Sequence, residues 1–354
     1  MQQLLKEKQR ELFAQIPPKK NHYVDLTRTD YASEMASRPA TVTIKSELVS
    51  KLASIDETIL SSITKDRISH SKTSAFVDMT ADNGTIIVVP KNQDAGDIEL
   101  KTDALGRQAS RNIIILEENS KANITWQNFG AGFLATNTDI VLKQGSELNF
   151  SEVQELDDNS TVLMHTEARI HRDAKLQWNV ITLGSKIQSV ERHIQLLEPG
   201  AEGKFVEVFF GNGSQIFDNN LVLGHKSRET SGNVLSNGIL TDSARNVFFG
   251  LIKIEENAQK TSSFLAQHAM LLSPDAICNS IPSLEIAAND VKASHAASVG
   301  QIDKEQIFYL MARGIPEAEA KKLIVLGFLE PALSRIPSDE IKNRLKEQIE
   351  TKWC

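Results

Sequence analysis

LKQGSELNF (residues 142–150), IHRDAKLQW (170–178) and LEPGAEGKF (197–205) share one pattern. An apolar residue is followed three positions later by a turn former, then by a small residue, then by alternating positions that are mostly apolar. The small corner residues Ser146, Ala174 and Ala201 lie 28 and 27 residues apart. Alternation places Leu176, Trp178 and Val180 on one face and Lys175, Gln177 and Asn179 on the other, as a half-buried strand requires. A small corner residue lets the backbone bend tightly while successive coils stack about 4.8 Å apart. A β-sandwich also alternates, but gives no reason for one corner sequence to return at nearly equal intervals, whereas a solenoid demands it.

Weaker copies extend the series in both directions: Leu116 with Asn119-Ser120, Leu240 with Ser243-Ala244, Ile254 with Asn257-Ala258, and Leu272 with Asp275-Ala276. Their uneven spacing implies loops of different lengths. The expected fold is mainly β, a right-handed parallel β-helix core over residues 111–300. A helical and mixed region, 1–110, precedes it and a helical region, 301–354, follows. Within the first, residues 2–15 carry an apolar stripe that ends at Pro17-Pro18, and Asn83-Gly84 introduces a short strand at residues 85–89.

After His295 the period becomes helical. Asp303 caps a first helix with Ile307, Leu310 and Met311 as its stripe, and Arg313-Gly314 ends it. Pro316 opens a second, expected to bury Ala320, Leu323, Ile324 and Phe328. A third begins near Ser338, with Ile341, Leu345 and Ile349 four apart.

Composition narrows the function. Of the 354 residues 40% are hydrophobic, enough for a full core, and the formal charge of −7 argues against nucleic acid as a partner. The longest apolar runs fall far short of the roughly 20 residues needed to cross a bilayer, and the N-terminus has no continuous apolar signal core. Cys278 and Cys354 are the only cysteines, which excludes a disulfide framework and points to a reducing cytosol. Phosphate-loop, nucleophile-elbow and zincin motifs are absent.

The remaining chemical candidates each have a plain structural reading. Asp157-Asp158 is the best carboxylate pair for a polysaccharide-cleaving β-helix, but neighbours on a strand face opposite ways and a solvated loop fits better. His165 and His193 occupy equivalent points before their corners and could stack close enough to share a metal. No third ligand is visible, so a structural polar ladder is favoured. His165 and His171, roughly 20 Å apart along a strand, cannot share one ion. Cys278 reads as a small buried hydrophobe.

The most specific segment runs from Pro282 to Gly314. It contains LEI (284–286), DVK (290–292), SH (294–295), VGQID (299–303), FYL (308–310) and RG (313–314) in that order. Upstream stand His225, LTDSA (240–244), VFFG (247–250) and LLS (271–273). Over roughly residues 100–330 the chain resembles the SufB/SufD family of iron–sulfur cluster assembly proteins. SufB carries a cysteine two residues before the histidine; here Ala293 stands there, so the resemblance is closest to SufD.

That resemblance implies a parallel β-helix between helical ends and a non-enzymatic scaffold subunit. The implied partners are a SufB-like subunit and the ABC-type ATPase SufC, the latter docking on the C-terminal helices at Gln306, Phe308, Tyr309, Arg313, Gly314 and Phe328. His295 is implied as a ligand of a transient iron–sulfur cluster shared with SufB, and a reduced flavin is allowed in the complex. A neutral imidazole is a sound iron ligand; a histidine tying the last coil to the next helix is the structural alternative. Asn289 and Ala296 stand where the family often has Asp and Gly, and Ala293 leaves sulfur acceptance to the partner. Two other expectations remain: a cytosolic carbohydrate-active β-helix enzyme, and a homodimer through an open solenoid edge.

Overall fold

The computed structural model describes residues 41–44, 49–51, 71–81, 84–334 and 339–353. Among these, eighteen strands alternate between two nine-stranded sheets. The first contains β1 (Thr41–Ile44), β4 (Asp94–Asp103), β6 (Lys121–Gly130), β8 (Glu147–Leu156), β10 (Lys175–Thr182), β12 (Glu202–Gly211), β14 (Ser231–Leu240), β16 (Thr261–Leu271) and β18 (Val291–Gln301), in that spatial order. The second runs β2 (Val49–Lys51), β3 (Thr85–Val89), β5 (Gly106–Leu116), β7 (Gly132–Leu142), β9 (Thr161–Ile170), β11 (Ile187–Leu196), β13 (Ile216–His225), β15 (Arg245–Ile254) and β17 (Ile277–Ile286). Only β1 on β4 and β2 on β3 pair antiparallel. The rest is a parallel β-solenoid, and its parallel pairing starts before residue 111, with β3 on β5 and β4 on β6.

Strict register turns the sequence alternation into stacked rows. Ile98, Ile124, Phe150, Trp178, Phe205, Val234 and Leu265 occupy successive positions of one interior row, each at most 3% exposed. Ile87, Ile114, Ile140, Ala168, Ile194, Leu223 and Ile252 form the facing row on the second sheet, and the two belong to one core cluster. The interior is not wholly apolar. Arg192 lies 3.3 Å from Glu152 and 3.8 Å from Glu207, and Ser236 donates to Glu207 at 2.6 Å. Burial pushes the Glu207 carboxyl up, and the Arg192 guanidinium opposes that shift.

The corners show what the repeated small residue does. Asn119, Gly145, Asp173, Gly200 and Glu229 all have positive φ, between 54° and 76°. The residue after each is buried: Ser120, Ser146, Ala174, Ala201 and Thr230. Each corner also passes a backbone hydrogen bond to the next coil, from Asn119 to Gln144, Gly145 to Arg172, Asp173 to Pro199, Gly200 to Glu229 and Glu229 to Gln259. Ser243-Ala244 and Asp275-Ala276 belong to the opposite corner, between the first sheet and the second, and Ala258 precedes the positive-φ residue of its turn, Lys260. One sequence series therefore merged two corners of the coil, which is why its later spacing is irregular.

Helix α1 (Lys72–Thr80) packs Phe76 and Val77 on the outer face of the second sheet, against Ala109, Phe133, Ala135 and Leu163. Ser71 caps it, accepting from the Ser74 backbone at 3.1 Å. After the last coil come α2 (Lys304–Ala312), α3 (Glu317–Leu333) and α4 (Asp339–Trp353). Asp303 caps α2, accepting from the Glu305 backbone at 2.8 Å. Of its expected stripe only Ile307 is buried; Met311 is 43% exposed.

Helix α3 buries Val325, Leu329, Ala332 and Leu333 on the outer flank of the first sheet and buries Ala320 near its start, while Leu323 is exposed and Ile324 and Phe328 are half-buried. Residues 323–329 are apolar on nearly every side, so periodicity alone could not choose the buried face. Helix α4 buries Ile341, Leu345 and Ile349 as spaced, and Arg344 pairs with Glu155 of β8. The stripe at residues 2–15 and Asn83 lie outside the described residues. No helix among the described residues is long and apolar enough to cross a membrane.

Candidate functional site

The interior row ends abruptly. Its next register position, opposite Leu265, is His295. Seven consecutive coils place a buried apolar side chain there, and the last places an exposed imidazole. Among the described residues strands β17 and β18 are the terminal strands of their sheets, so no described strand pairs with the far edge of the coil they build. Ile281, Ile286 and Val299 on these strands are 47%, 43% and 41% exposed. Ala293 and Leu284 still pack against the interior cluster. His295 thus sits at an open, partly apolar end of the solenoid rather than on its solvated flank.

Among the described residues His295 belongs to no group of three or more metal-ligating side chains. Nor, among them, does any hydrogen bond or ion pair tie its side chain to α2. Cys278 on β17 is half-buried, accepts from Asn246 Nδ2 at 3.6 Å, and its thiol is pushed up to about 11, chiefly by burial. A thiol so held is neither a good ligand nor a good nucleophile at neutral pH.

The helical residues fall into two groups. Gln306, Phe308 and Tyr309 line a groove on α2 that Ile324 of α3 completes. Phe308 is 72% and Tyr309 56% exposed, and the Arg313 guanidinium stacks 4.7 Å from the Tyr309 ring centre. Gly314, at φ 87°, closes the helix in a conformation that disfavours a side chain. Phe328 is elsewhere, half-buried against the flank of the first sheet, and its carbonyl accepts from Asn237 Nδ2 at 3.0 Å. The structure therefore assembles five of these six residues and separates the sixth.

The other candidates are placed as follows. Asp157 and Asp158 form the turn between β8 and β9, accepting from the Asn159 backbone at 2.8 Å and Gln215 Nε2 at 2.7 Å, so they are loop residues. His171 lies in a turn, with Nδ1 3.0 Å from Glu198 Oε1. His165 and His193 are not register partners: His165 stands opposite Glu191, and His193 opposite Glu167. Their rings are nevertheless 5.5 Å apart on the diagonal. Glu191, which the sequence reading missed, joins them. Counting back from the corners pairs His165 with Arg192 instead, because the corner after β11 is one residue longer than the corner after β9.

The specific segment recognised in the sequence maps onto this end of the molecule: LEI on β17, SH and VGQ on β18, FYL on α2. Residues 99–328 match the family described as SUF system FeS cluster assembly, SufBD core domain. The chain is 31% identical over 216 residues to the iron–sulfur cluster assembly protein SufD of Bacillus subtilis, covering 61% of this chain and 49% of that protein. It is 30% identical over 243 residues to an iron–sulfur cluster assembly SufBD family protein of Mycobacterium tuberculosis, covering 66% and 61%. A Staphylococcus epidermidis member of the family is 25% identical over 281 residues, covering 75% and 60%. The chain spans about half to three fifths of the length of these relatives. A family match over most of the solenoid and a last coil carrying the family's segment lead to one conclusion: the chain belongs to the SufB/SufD family of iron–sulfur cluster assembly proteins and is most like SufD.

Proposed function

We propose that this chain is a non-enzymatic scaffold subunit of a SUF assembly complex, pairing through its open end with a SufB-like subunit and through α2 with a SufC-like ABC ATPase. The observation that carries this reading is exposed His295 at the last position of the interior row, on β18, in a coil whose two strands are the terminal strands of their sheets among the described residues. An apolar row that ends in an imidazole is an incomplete core, and a second solenoid end would cover it. The nascent cluster is the cargo of that junction. His295 would supply one neutral nitrogen ligand, and the partner the thiolate that this end lacks at Ala293.

On this reading the ATPase has a separate surface. Phe308 and Tyr309 are large, exposed and aromatic beside a groove, the composition of an interface hot spot. Co-expression of the chain with SufB-like and SufC-like partners should give a stable complex. Replacing Phe308 and Tyr309 together by Ala should release the ATPase, weakening its binding by about 2 kcal/mol or more, while the SufB-like subunit remains bound. Failure of the unaltered subunits to associate would sink the assembly, and retention of the ATPase by the double variant would remove α2 from its interface.

A further inference from the structure

We infer that His165, Glu191 and His193 form a binding site for a first-row divalent transition cation on the outer face of the second sheet, far from the open end in the coil order. One donor atom from each of the three lies within 4.8 Å of the others. His165 Nδ1 and Glu191 Oε2 are already 3.4 Å apart, a separation that two ligands of one tetrahedral ion have. Ligands at about 2.1 Å on a tetrahedral ion stand about 3.4 Å apart, so the widest separation must close by up to about 1.4 Å, within reach of a side-chain rotation. Two imidazoles and one carboxylate are the donor set of open zinc and ferrous sites, with a coordination position left for water.

The surroundings fit a cation. Helix α1 covers this face, and Ser71 Oγ lies 3.5 Å from His165 Nδ1. His165 is fully buried, whereas Glu191 keeps 19% of its side chain exposed, which gives the ion a way in. In the same patch two guanidiniums, Arg111 and Arg169, face Asp78 and Asp139, and Glu167 and Glu191 flank the histidines. Carboxyls outnumber guanidiniums there by two, a surplus that one dication would offset. Burial, and then the neighbouring His165, lowers His193 to about 4, so at pH 7 its ring is neutral and carries the lone pair that a ligand needs. Asn137, the next residue along the His165 row, holds a buried Oδ1 that no donor reaches among the described residues, an acceptor for a metal-bound water.

The site is independent of His295, and the test keeps the two apart. Full-length protein stripped with a chelator is titrated with Zn2+ by calorimetry and with Co2+ by visible absorption. One equivalent should bind per chain, with the d–d bands of a tetrahedral Co2+ site, and Zn2+ should raise the Tm while Mg2+ does not. His193→Ala and the isosteric Glu191→Gln should each weaken Zn2+ by at least about 100-fold, more than loss of an outer-shell group costs. His295→Ala and His171→Ala should leave it unchanged. Glu191→Gln tests the site even if His193→Ala fails to fold. Absence of stoichiometric binding, or binding that Glu191→Gln leaves intact, overturns the inference.

Discussion

At the scale of single residues, the histidines divide by environment. His225 is buried and held by Thr230 Oγ1 at 2.8 Å and Ser263 Oγ at 3.0 Å, and burial lowers it to about 4. His193 is lowered equally. Between the ordinary value of about 6.5 and the folded value, the unfolded chain binds more protons than the folded one. Stability should therefore be full above pH 6.5 and fall as the pH drops towards 4, by up to about 3 kcal/mol per histidine. Urea unfolding from pH 7 to 4 checks this, and His225→Gln should flatten the slope; an equal slope in the variant would contradict the assignment. None of this was legible in the sequence, because burial of a histidine depends on the row it joins. The upstream family resemblance flagged His225 without saying why a solenoid would bury it.

At the scale of elements, the strands and corners were largely readable and the helix faces were not. Alternation fixed which residues of β8, β10 and β12 point inward because a strand has only two faces. A helix offers more phases, and the apolar run of α3 left its phase undetermined. The short strand at residues 85–89 was legible from its flanking turn and β-branched run. Corner chemistry yields a comparison. Gly200 has φ 76°, and a Cβ there would meet Asp173 Oδ1 at 2.0 Å; Gly213 has φ 58° with open space around it. Asp173 itself adopts φ 54°, so positive φ alone is tolerated. Gly213→Ala should cost about 1 kcal/mol, and Gly200→Ala about 2–3 kcal/mol, because it also displaces the side chain of the preceding coil. Thermal unfolding of both variants measures the difference, and equal losses would mean that the stacked corner carries no load.

At the scale of the whole molecule, the solenoid is a stack in which each coil is covered by the next, so the two ends are its exceptional places. Near the start of the stack the antiparallel strands β1 and β2 flank the parallel ladder; at the far end nothing described covers β17 and β18. The sequence segment that carried the family resemblance is the one that builds the uncovered end, which is why it could be recognised before its position was known. What the sequence could not give was the register that aligns His295 with Leu265 and six earlier interior residues. That alignment is the central claim, an incomplete core that a partner completes.

The measurement that tests it most directly is anaerobic cluster reconstitution on the co-purified assembly with His295→Ala, scoring iron and acid-labile sulfide per complex alongside size-exclusion. An intact complex with most of its cluster lost is the predicted result, since the variant removes a ligand from an exposed position and leaves the interior row untouched. An intact complex with unchanged cluster yield would contradict the account and return His295 to a role in packing alone.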